Sequence, residues 1–241
     1  MIPTRVKAER YERLLAARFD AVSVVSEQER ALFRNLTRNG PTPAMVIPNG
    51  IDTGLLDFNG VPRENNLLAF TGALSYGPNR DAALCLCREV LPLVRRHVPE
   101  ARVRITGRAS DADRELFGAS NMMVELTGYV DDIRPMIASA SALVAPLRFG
   151  GGTRLKILEA MGLGTPVVTT PMGAEGIDVS NGRDILLGET AEEIADAAMR
   201  LLTDPEFSSE IARNARELVR KRYQWPAIAA DFERMVTGQA Q

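Results

Sequence analysis

One stretch decides the fold: ALVAPLRFGGGTRLKILEAMGLGTPVVTT, from Ala142 to Thr170. It reads as an apolar strand over 142–146, a glycine loop, a helix over 153–163 and a second apolar strand over 166–170. Strands that are apolar throughout and follow one another through a helix are typical of a parallel sheet covered by helices on both faces. The stretch therefore predicts an α/β fold built on a doubly wound parallel sheet.

The same alternation continues on either side of this stretch. Further strand candidates lie at 21–26, 45–48, 67–71, 102–106, 124–128 and 185–187, and further helix candidates at 79–98, 191–202 and 206–222. Several strands end in a small residue or proline followed by a glycine-bearing loop. In such sheets ligands bind beyond the carboxyl ends of the strands, where glycine lets the backbone come close. We predict one cleft at that edge; the alternative is that each glycine serves only its own turn.

Composition narrows the class of protein. Of 241 residues, 45% are hydrophobic and 25% are charged, as in an ordinary globular protein. The formal charge of -2 gives no support to a nucleic-acid partner. A single histidine and two cysteines leave a zinc site and a serine-histidine triad poorly supported, so no metal is expected. No apolar run approaches the ~20 residues that cross a bilayer; we expect a cytoplasmic chain, with attachment to the inner face of the membrane left open for a full-length protein.

Three glycines, Gly150, Gly151 and Gly152, stand directly before the helix candidate that starts at Thr153. Backbone N–H groups and the positive end of the helix dipole would then point into the cleft, where they stabilise an anion such as a phosphate. The loop matches neither the Walker A pattern nor the G-x-G-x-x-G dinucleotide pattern. The glycines alone are therefore a weak signal.

Three charged side chains, Arg154, Lys156 and Glu159, follow the glycines. We expect both cations in the first helical turn, where they oppose the helix dipole by roughly 0.3–1 kcal/mol each unless an anion is bound. A bound diphosphate would remove that conflict, and Glu159 could accept hydrogen bonds from a pair of sugar hydroxyls. The alternative is a solvated Lys156–Glu159 pair at i,i+3, which contributes only about 0.2–0.5 kcal/mol.

The segment FGGGTRLKILEAMGLGTPVV (149–168) resembles the signature of the donor-binding domain of retaining family 4 (group 1) glycosyltransferases, which have the GT-B fold. The family pattern is E-x7-E followed by A-M-A-x-G-x-P-V-V. Further family segments occur in register: VIPNGID (46–52), FTGALSY (70–76), ITG (105–107) and LTGYVDDI (126–133). The resemblance covers nearly everything after Met45 and implies the Rossmann-like, C-terminal half of a GT-B enzyme.

The resemblance implies a nucleotide-diphospho-sugar donor, UDP- or GDP-linked, bound as a substrate without a metal or another cofactor. It gives catalytic roles to Arg154, Lys156 and Glu159, with Glu159 at the ribose hydroxyls and the cations at the leaving diphosphate. The base would approach the segment 129–132, and the phosphate or sugar the loop 172–176. The implied donor-binding residues are Gly72, Ala73, Gly107, Tyr129, Val130, Asp132, Gly150, Gly151, Gly152, Thr153, Gly173, Ala174 and Glu175.

The sequence departs from the family pattern in two places. Gly151 stands where the first glutamate of E-x7-E is expected, so the usual carboxylate contact to the donor sugar is absent or comes from elsewhere. The usual G-R-x-x-x-x-K after the first strand reads GALSYGPNR, which lacks the arginine and the lysine in register. We expect Arg154 and Lys156 to replace these phosphate-binding cations.

The resemblance also sets the expected domains. Residues 1–45 would be a helix–strand–helix remnant of the N-terminal acceptor domain, 46–222 the donor-binding domain and 223–241 a C-terminal crossover helix and tail. An acceptor domain needs roughly 150 or more residues, so we expect a cloned fragment or a truncated protein that is inactive alone. A homodimer through the remnant or the C-terminal helix is one expectation; burial of these segments on the donor domain is the alternative.

The predicted function is transfer of a sugar from a nucleotide-diphospho-sugar to an acceptor that the sequence does not specify, such as a glycan, a lipid-linked sugar or a polysaccharide precursor. Two alternatives stay open. One is a GT-B fold nucleotide-sugar epimerase, against which the segments GGGTRLKILEAM and VIPNGID argue. The other is a non-catalytic module that binds a nucleotide or a partner and is completed by a second chain.

Overall fold

The computed structural model describes residues 4–38, 40–52, 54, 61–118, 123–150 and 152–237. In chain order the elements are α1 (Thr4–Ala16), β1 (Val22–Val24), α2 (Glu27–Thr37), β2 (Ala44–Val46), β3 (Glu64–Thr71), α3 (Gly77–Cys85), a π-helical segment (Leu86–Val90), α4 (Leu91–Arg95), β4 (Arg102–Thr106), α5 (Asp111–Gly118), β5 (Val124–Gly128), α6 (Arg134–Ala138), β6 (Ala140–Ala145), α7 (Leu155–Gly162), β7 (Val167–Thr169), β8 (Leu186–Leu187), α8 (Ala191–Thr203), α9 (Pro205–Arg222) and α10 (Trp225–Val236). Within the described ranges, none of these helices is both long and apolar enough to cross a membrane.

The chain divides into two compact units. One comprises residues 1–50 together with 225–241, and the other comprises residues 51–224. The assignment of residues 1–45 to an acceptor-domain remnant, of 46–222 to a donor-binding domain and of 223–241 to a crossover helix stays a prediction.

The larger unit is built on a six-stranded sheet in the order β5-β4-β3-β6-β7-β8, and every neighbouring pair is parallel. The chain begins this sheet at β3, adds β4 and β5 on one side and then β6, β7 and β8 on the other. The order therefore reverses between β3 and β6, and such a switch point is where doubly wound sheets bind ligands. The predicted α/β class with a doubly wound parallel sheet is confirmed.

Both faces of this sheet are covered. In β3, the consecutive residues Leu67, Leu68, Ala69 and Phe70 are all at most 1% exposed, although their side chains alternate between the two faces. A strand buried on both faces is what a parallel sheet between two layers of helices requires. The apolar run in the sequence was therefore the right signal for the middle of β3.

The start of β3 differs from the predicted strand 67–71, because the strand begins at Glu64. The Glu64 carboxylate accepts hydrogen bonds from Arg104 Nη1 at 2.8 Å and from Arg102 Nη2 at 2.5 Å, both on the neighbouring β4. These hydrogen bonds lower the pKa of Glu64 to about 2. A strand start held by ion pairs carries no apolar signal, so the hydrophobic pattern missed it.

The predicted helix 79–98 is divided into α3, the π-helical segment and α4. Pro92, near the start of α4, has no N–H and cannot complete a regular α-helical ladder. Just before it, Leu91 N–H bonds Leu86 O, five residues back, so the bonding register shifts ahead of the proline. Cys85 and Cys87 are buried in this region.

The smaller unit pairs β1 with β2 in parallel, with Val22 opposite Ala44. Helix α2 begins with a side-chain cap, because Ser26 Oγ accepts from Glu29 N–H at 3.1 Å. Several large apolar side chains of this unit are more than 45% exposed: Tyr11, Leu14, Phe19, Leu32, Trp225 and Phe232. The homodimer through the N-terminal remnant or the C-terminal helix stays a prediction.

Helix α8 begins with a capping box. Thr190 Oγ1 accepts from Glu193 N–H at 3.2 Å, and the Glu193 carboxylate accepts from Thr190 N–H at 3.4 Å. We expect Thr190→Ala to lower the free energy of unfolding by about 1 kcal/mol, because a first-turn N–H loses its acceptor. Urea unfolding followed by circular dichroism measures the change, with Thr190→Ser, which keeps the oxygen, as the control. Equal stability of the two variants would contradict this role for the cap.

Candidate functional site

Five loops leave the carboxyl edge of the parallel sheet, after β3, β4, β5, β6 and β7. They cover 72–76, 107–110, 129–133, 146–154 and 170–177. The loops after β3 and β6 flank the switch point, because these two strands are neighbours. The predicted site residues lie on these five loops, apart from Lys156 and Glu159 on α7 and Gly151, which falls outside the described residues.

Gly72 and Gly107 bring the first two loops into backbone contact. Gly72 N–H donates to Thr106 O and Leu74 N–H donates to Arg108 O, both at 2.8 Å. The two glycines have φ values of +147° and +148°. A Cβ on Gly107 would overlap Gly72 O and lie 2.5 Å from Gly72 C. Conformation and space both require glycine here.

The Lys156 ammonium lies against the first loop. It donates to Asn79 Oδ1 at 2.7 Å and lies 4.5 Å from the centre of the Phe70 ring. A Cβ on Gly72 would come within 2.8 Å of Lys156 Nζ, so this glycine makes room for the ammonium. Asn79 in turn donates from Nδ2 to Ala73 O at 3.1 Å. The fold thus brings together Lys156, Gly72 and Ala73, three of the predicted site residues.

Burial perturbs both charged groups of α7. Burial, and after it the positive charge of Arg154, lowers the pKa of Lys156 to about 8, against an opposing effect of Glu159. Burial raises the pKa of Glu159, and the charge of Lys156 partly offsets that shift. In the described part of the chain, the ammonium bonds Asn79 and not Glu159. The solvated Lys156–Glu159 pair weighed from the sequence does not form.

Arg154 lies just before α7, which corrects the prediction that it occupies the first helical turn. Its backbone is non-helical, with φ -86° and ψ 85°, and the helix begins at Leu155. Ile157 N–H closes a tight turn onto Arg154 O at 2.9 Å. A Cβ on Gly150, whose φ is +113°, would lie 3.0 Å from Arg154 Nη2. The guanidinium therefore lies close to Gly150.

The N-terminus of α7 offers hydrogen-bond donors. No side-chain hydrogen bond caps this helix within the described ranges. The Thr153 hydroxyl oxygen is buried and has no hydrogen-bond partner among the residues that the structure describes, whereas buried polar atoms nearly always have one. Gly152 is exposed beside it, with φ +81°. An uncapped helix N-terminus next to an orphan hydroxyl and two cations suits an anion.

The loop after β7 is tied to the loop after β6. Thr170 Oγ1 donates to a backbone carbonyl of the β6 loop and accepts from Gly173 N–H at 3.0 Å. A Cβ on Gly173 would overlap the Thr169 hydroxyl, so this position requires glycine. Ala174 is buried and Glu175 is half-buried. Gly173 is thereby held, through Thr170, to the loop after β6.

The loop after β5 carries an aromatic side chain and a closed ion pair. Tyr129 is 64% exposed, and the Arg108 guanidinium lies 5.3 Å from the centre of its ring. The Asp132 carboxylate accepts two hydrogen bonds from the Arg134 guanidinium, at 2.7 and 2.8 Å, which lower the pKa of Asp132. Val130 is half-buried. The Asp132 side chain is therefore engaged within its own loop.

Sequence reasoning missed three polar residues at this edge: Asn79, Arg108 and Arg148. Arg148 forms two hydrogen bonds with the Asp81 carboxylate, at 2.9 and 2.7 Å, which tie the loop after β6 to α3. Arg108 directly follows the ITG segment, so its place after a strand could have been a signal. Asn79 gave no such signal, because its partner Lys156 is remote in sequence.

The site is rich in positive charge and poor in metal ligands. Within the ranges that the structure covers, no three His, Cys, Asp or Glu side chains come together to hold a metal ion. Lys156 and Arg154 instead supply positive charge. The Thr153 hydroxyl and the N-terminus of α7 supply hydrogen-bond donors. This arrangement can bind an anion and stabilise negative charge that develops on it.

Two curated relatives align with this chain over about three quarters of its length or more. It is 29% identical over 202 residues to a phosphatidyl-myo-inositol mannosyltransferase of Mycobacterium leprae, covering 80% of this chain and 53% of the relative. It is also 29% identical over 197 residues to a glycogen synthase of Mycobacterium tuberculosis, covering 76% of this chain and 46% of the relative. The chain therefore spans about half the length of the curated relatives it matches.

Solved structures share the fold. HepE of Anabaena, solved in complex with UDP, superposes with a TM-score of 0.79 at 19% identity. The superposition covers 95% of this chain and 67% of the HepE chain. Sucrose-phosphate synthase of Thermosynechococcus elongatus gives a TM-score of 0.77 at 22% identity, covering 96% of this chain and 61% of its own. These likenesses confirm the predicted Rossmann-like, GT-B type fold.

The family follows from the part of the sequence that carries these loops. The family model described as "Glycosyl transferases group 1" matches residues 65–204, which is more than half of the chain. That range contains every loop of the cationic site, from Gly72 to Glu175. The chain belongs to the group 1 glycosyltransferases.

Proposed function

We propose that this chain is the donor-binding half of a retaining glycosyltransferase that takes a UDP- or GDP-linked sugar and needs no metal ion. The observation that carries the proposal is the Lys156 ammonium, which lies beside Gly72 at the switch point of the sheet. A half-buried cation without a carboxylate partner in the described part of the chain calls for an anionic ligand. A diphosphate at the carboxyl edge of a doubly wound sheet meets that requirement.

The diphosphate would lie between the loop after β3 and the N-terminus of α7. The Thr153 hydroxyl and the first-turn N–H groups of α7 would donate to its oxygens, as at other phosphate-binding helix ends. Lys156 and Arg154 would stabilise the charge that develops on the leaving nucleoside diphosphate when the sugar departs. These two cations would thus do what the missing G-R-x-x-x-x-K residues do in the family pattern.

The rest of the donor would extend to either side. Glu159, whose pKa burial raises, would accept hydrogen bonds from the ribose hydroxyls. The base would approach Tyr129, where Arg108 adds a cation over the ring. The sugar would lie toward the loop of Gly173, Ala174 and Glu175. Gly151 leaves the sugar without the usual family carboxylate, so a residue of the acceptor-binding half would have to supply that contact.

The names of the relatives bear on donor and acceptor. HepE was solved with UDP, and a mycobacterial relative 26% identical over 245 residues is a GDP-mannose-dependent mannosyltransferase acting on a phosphatidylinositol monomannoside. Both bases therefore stay in the proposal. A lipid-linked sugar, a glycan or a polysaccharide precursor would serve as acceptor. A lipid-linked acceptor would favour attachment of the full-length protein to the inner face of the membrane.

Nucleotide binding is the first test of the proposal. At 100 times its dissociation constant, the right nucleotide should stabilise the fold by about 2.7 kcal/mol, which corresponds to a rise in Tm of roughly 5–10 °C for a chain of this size. Thermal unfolding with UDP, GDP and ADP measures the shift. No shift with any of them, at millimolar concentration, would refute the donor site.

An assay of sugar transfer distinguishes the proposed enzyme from a non-catalytic module. We expect this chain alone to bind the nucleotide without releasing sugar from UDP- or GDP-sugars. A longer chain that adds an acceptor domain of roughly 150 residues should release and transfer the sugar with retained anomeric configuration, which NMR of the product determines. Binding without transfer by the longer chain would favour the non-catalytic module. Isomerisation of the nucleotide-sugar would indicate an epimerase.

A further inference from the structure

We propose that Asn79 is the positioning residue for Lys156: its side-chain amide holds the ammonium beside Gly72 and leaves it charged for the diphosphate. The role toward the diphosphate rests on the proposed function, whereas the contact between Asn79 and Lys156 does not. Asn79 lies in the first turn of α3, directly after Pro78. Its backbone is fixed there, because its N–H bonds Tyr76 O at 3.0 Å.

Hydrogen-bond chemistry fixes the orientation of this amide. An ammonium can only donate, and a backbone carbonyl can only accept. Asn79 must therefore turn Oδ1 toward Lys156 Nζ, at 2.7 Å, and Nδ2 toward Ala73 O, at 3.1 Å. The reverse orientation would lose both bonds. One side chain thus joins α3, α7 and the loop after β3 in a single arrangement.

The neutrality of the amide matters for an anionic ligand. A carboxylate in this place would pair with the ammonium and cancel the charge that a diphosphate needs. An amide oxygen holds the ammonium and leaves its full charge. A lysine side chain is long and flexible, so fixing it before the ligand arrives reduces the entropy lost on binding.

The other groups around Lys156 leave donors for a ligand. The charged groups that act on its ammonium are Arg154 and Glu159, and the Phe70 ring lies 4.5 Å away without accepting a conventional hydrogen bond. Among the described residues, Asn79 is the hydrogen-bond acceptor for this ammonium. Because an ammonium has three donors, two are left for phosphate oxygens.

The lysine content of the chain makes the contact directly measurable. Lysine occurs only at positions 7, 156 and 221, and both Lys7 and Lys221 are exposed. Side-chain NMR of lysine-labelled protein can therefore follow the titration of Lys156 without any nucleotide. We expect Asn79→Asp to raise the pKa of Lys156 by at least one unit, through the added negative charge, and Asn79→Leu to lower it, through the lost acceptor.

A matched asparagine serves as the control. Asn214 also donates through its amide to a backbone carbonyl, that of Arg183 at 3.1 Å, and Asn214→Asp should leave the Lys156 titration unchanged. At pH 7 we expect calorimetry to show at least a tenfold loss of UDP or GDP affinity for Asn79→Asp and Asn79→Leu, and none for Asn214→Asp. Circular dichroism confirms that each variant is folded.

The positioning role of Asn79 and the proposed donor-binding function can be refuted independently of each other. An unchanged Lys156 titration in both folded Asn79 variants overturns the positioning role, even if the unmodified protein binds nucleotide. Unchanged nucleotide affinity in those variants, with a shifted Lys156 titration, also overturns it. A protein that binds neither UDP nor GDP would refute the proposed function, while the Lys156 titration would still decide whether Asn79 holds the ammonium.

Discussion

Replacing Gly107 with alanine is expected to lower the free energy of unfolding by about 3–5 kcal/mol, from a strained backbone and an overpacked contact together. The φ value of Gly107 is +148°, which L-residues rarely adopt. A Cβ there would overlap Gly72 O and lie 2.5 Å from Gly72 C, and backbone cannot move aside as a side chain can. We expect nucleotide binding to be lost as well, because the displaced loop carries Ala73, the acceptor for Asn79.

Gly182 provides a matched control for this substitution. Its φ is +79°, so alanine is conformationally unfavourable there too, but a Cβ would meet no described atom within 4 Å. Gly182→Ala should therefore cost only about 1–2 kcal/mol and leave nucleotide binding intact. Urea unfolding and UDP or GDP calorimetry compare the two variants. Similar losses of stability in both would mean that the contact with Gly72 is not what demands glycine at position 107.

The sequence could predict the parts of the fold that rest on local pattern. Apolar runs located the middle of β3, where Leu67 to Phe70 are fully buried, and glycines located the loops at the carboxyl edge. The hydrophobic pattern failed where long-range polar contacts determine the end of a strand. Glu64 belongs to β3 through its arginine partners on β4, and no periodicity reports such a pairing.

The same limit applies to the site. Arg154 and Lys156 could be proposed from their place after three glycines, and the structure brings both to the loops of the switch point. Arg154 was placed inside the helix because the predicted helix starts at Thr153, two residues before the observed start at Leu155, and propensity does not show that the Arg154 backbone stays non-helical. Asn79 could not be found at all, since a single asparagine after a proline is more often a turn residue. Its significance depends on a side chain 77 residues further along the chain.

Lys156→Met should raise the stability of the ligand-free protein while lowering its affinity for nucleotide. At neutral pH the folded state must hold a half-buried ammonium, whose charge the loss of hydration disfavours. Methionine keeps an unbranched side chain against Phe70 and removes the charge. We expect a higher Tm without ligand and a roughly 10- to 100-fold weaker affinity for UDP or GDP, the usual effect of losing a charged hydrogen bond of about 1.5–3 kcal/mol. A lower Tm together with unchanged affinity would show that Lys156 is structural.

The affinity of the unmodified protein should depend on pH through the same ammonium. Its pKa without ligand is about 8, below the usual 10.5, and a bound diphosphate raises that pKa because it favours the charged form. Affinity should therefore be level near pH 7, where the phosphate groups are already ionised. Above pH 8 it should fall, by up to tenfold per pH unit, until the pKa of the complex is reached. Calorimetry between pH 7 and 10 measures this profile, which Lys156→Met should abolish. Lys156→Arg stays charged throughout, so its profile should also be flat; a decline that persists in both variants would assign the titration to another group.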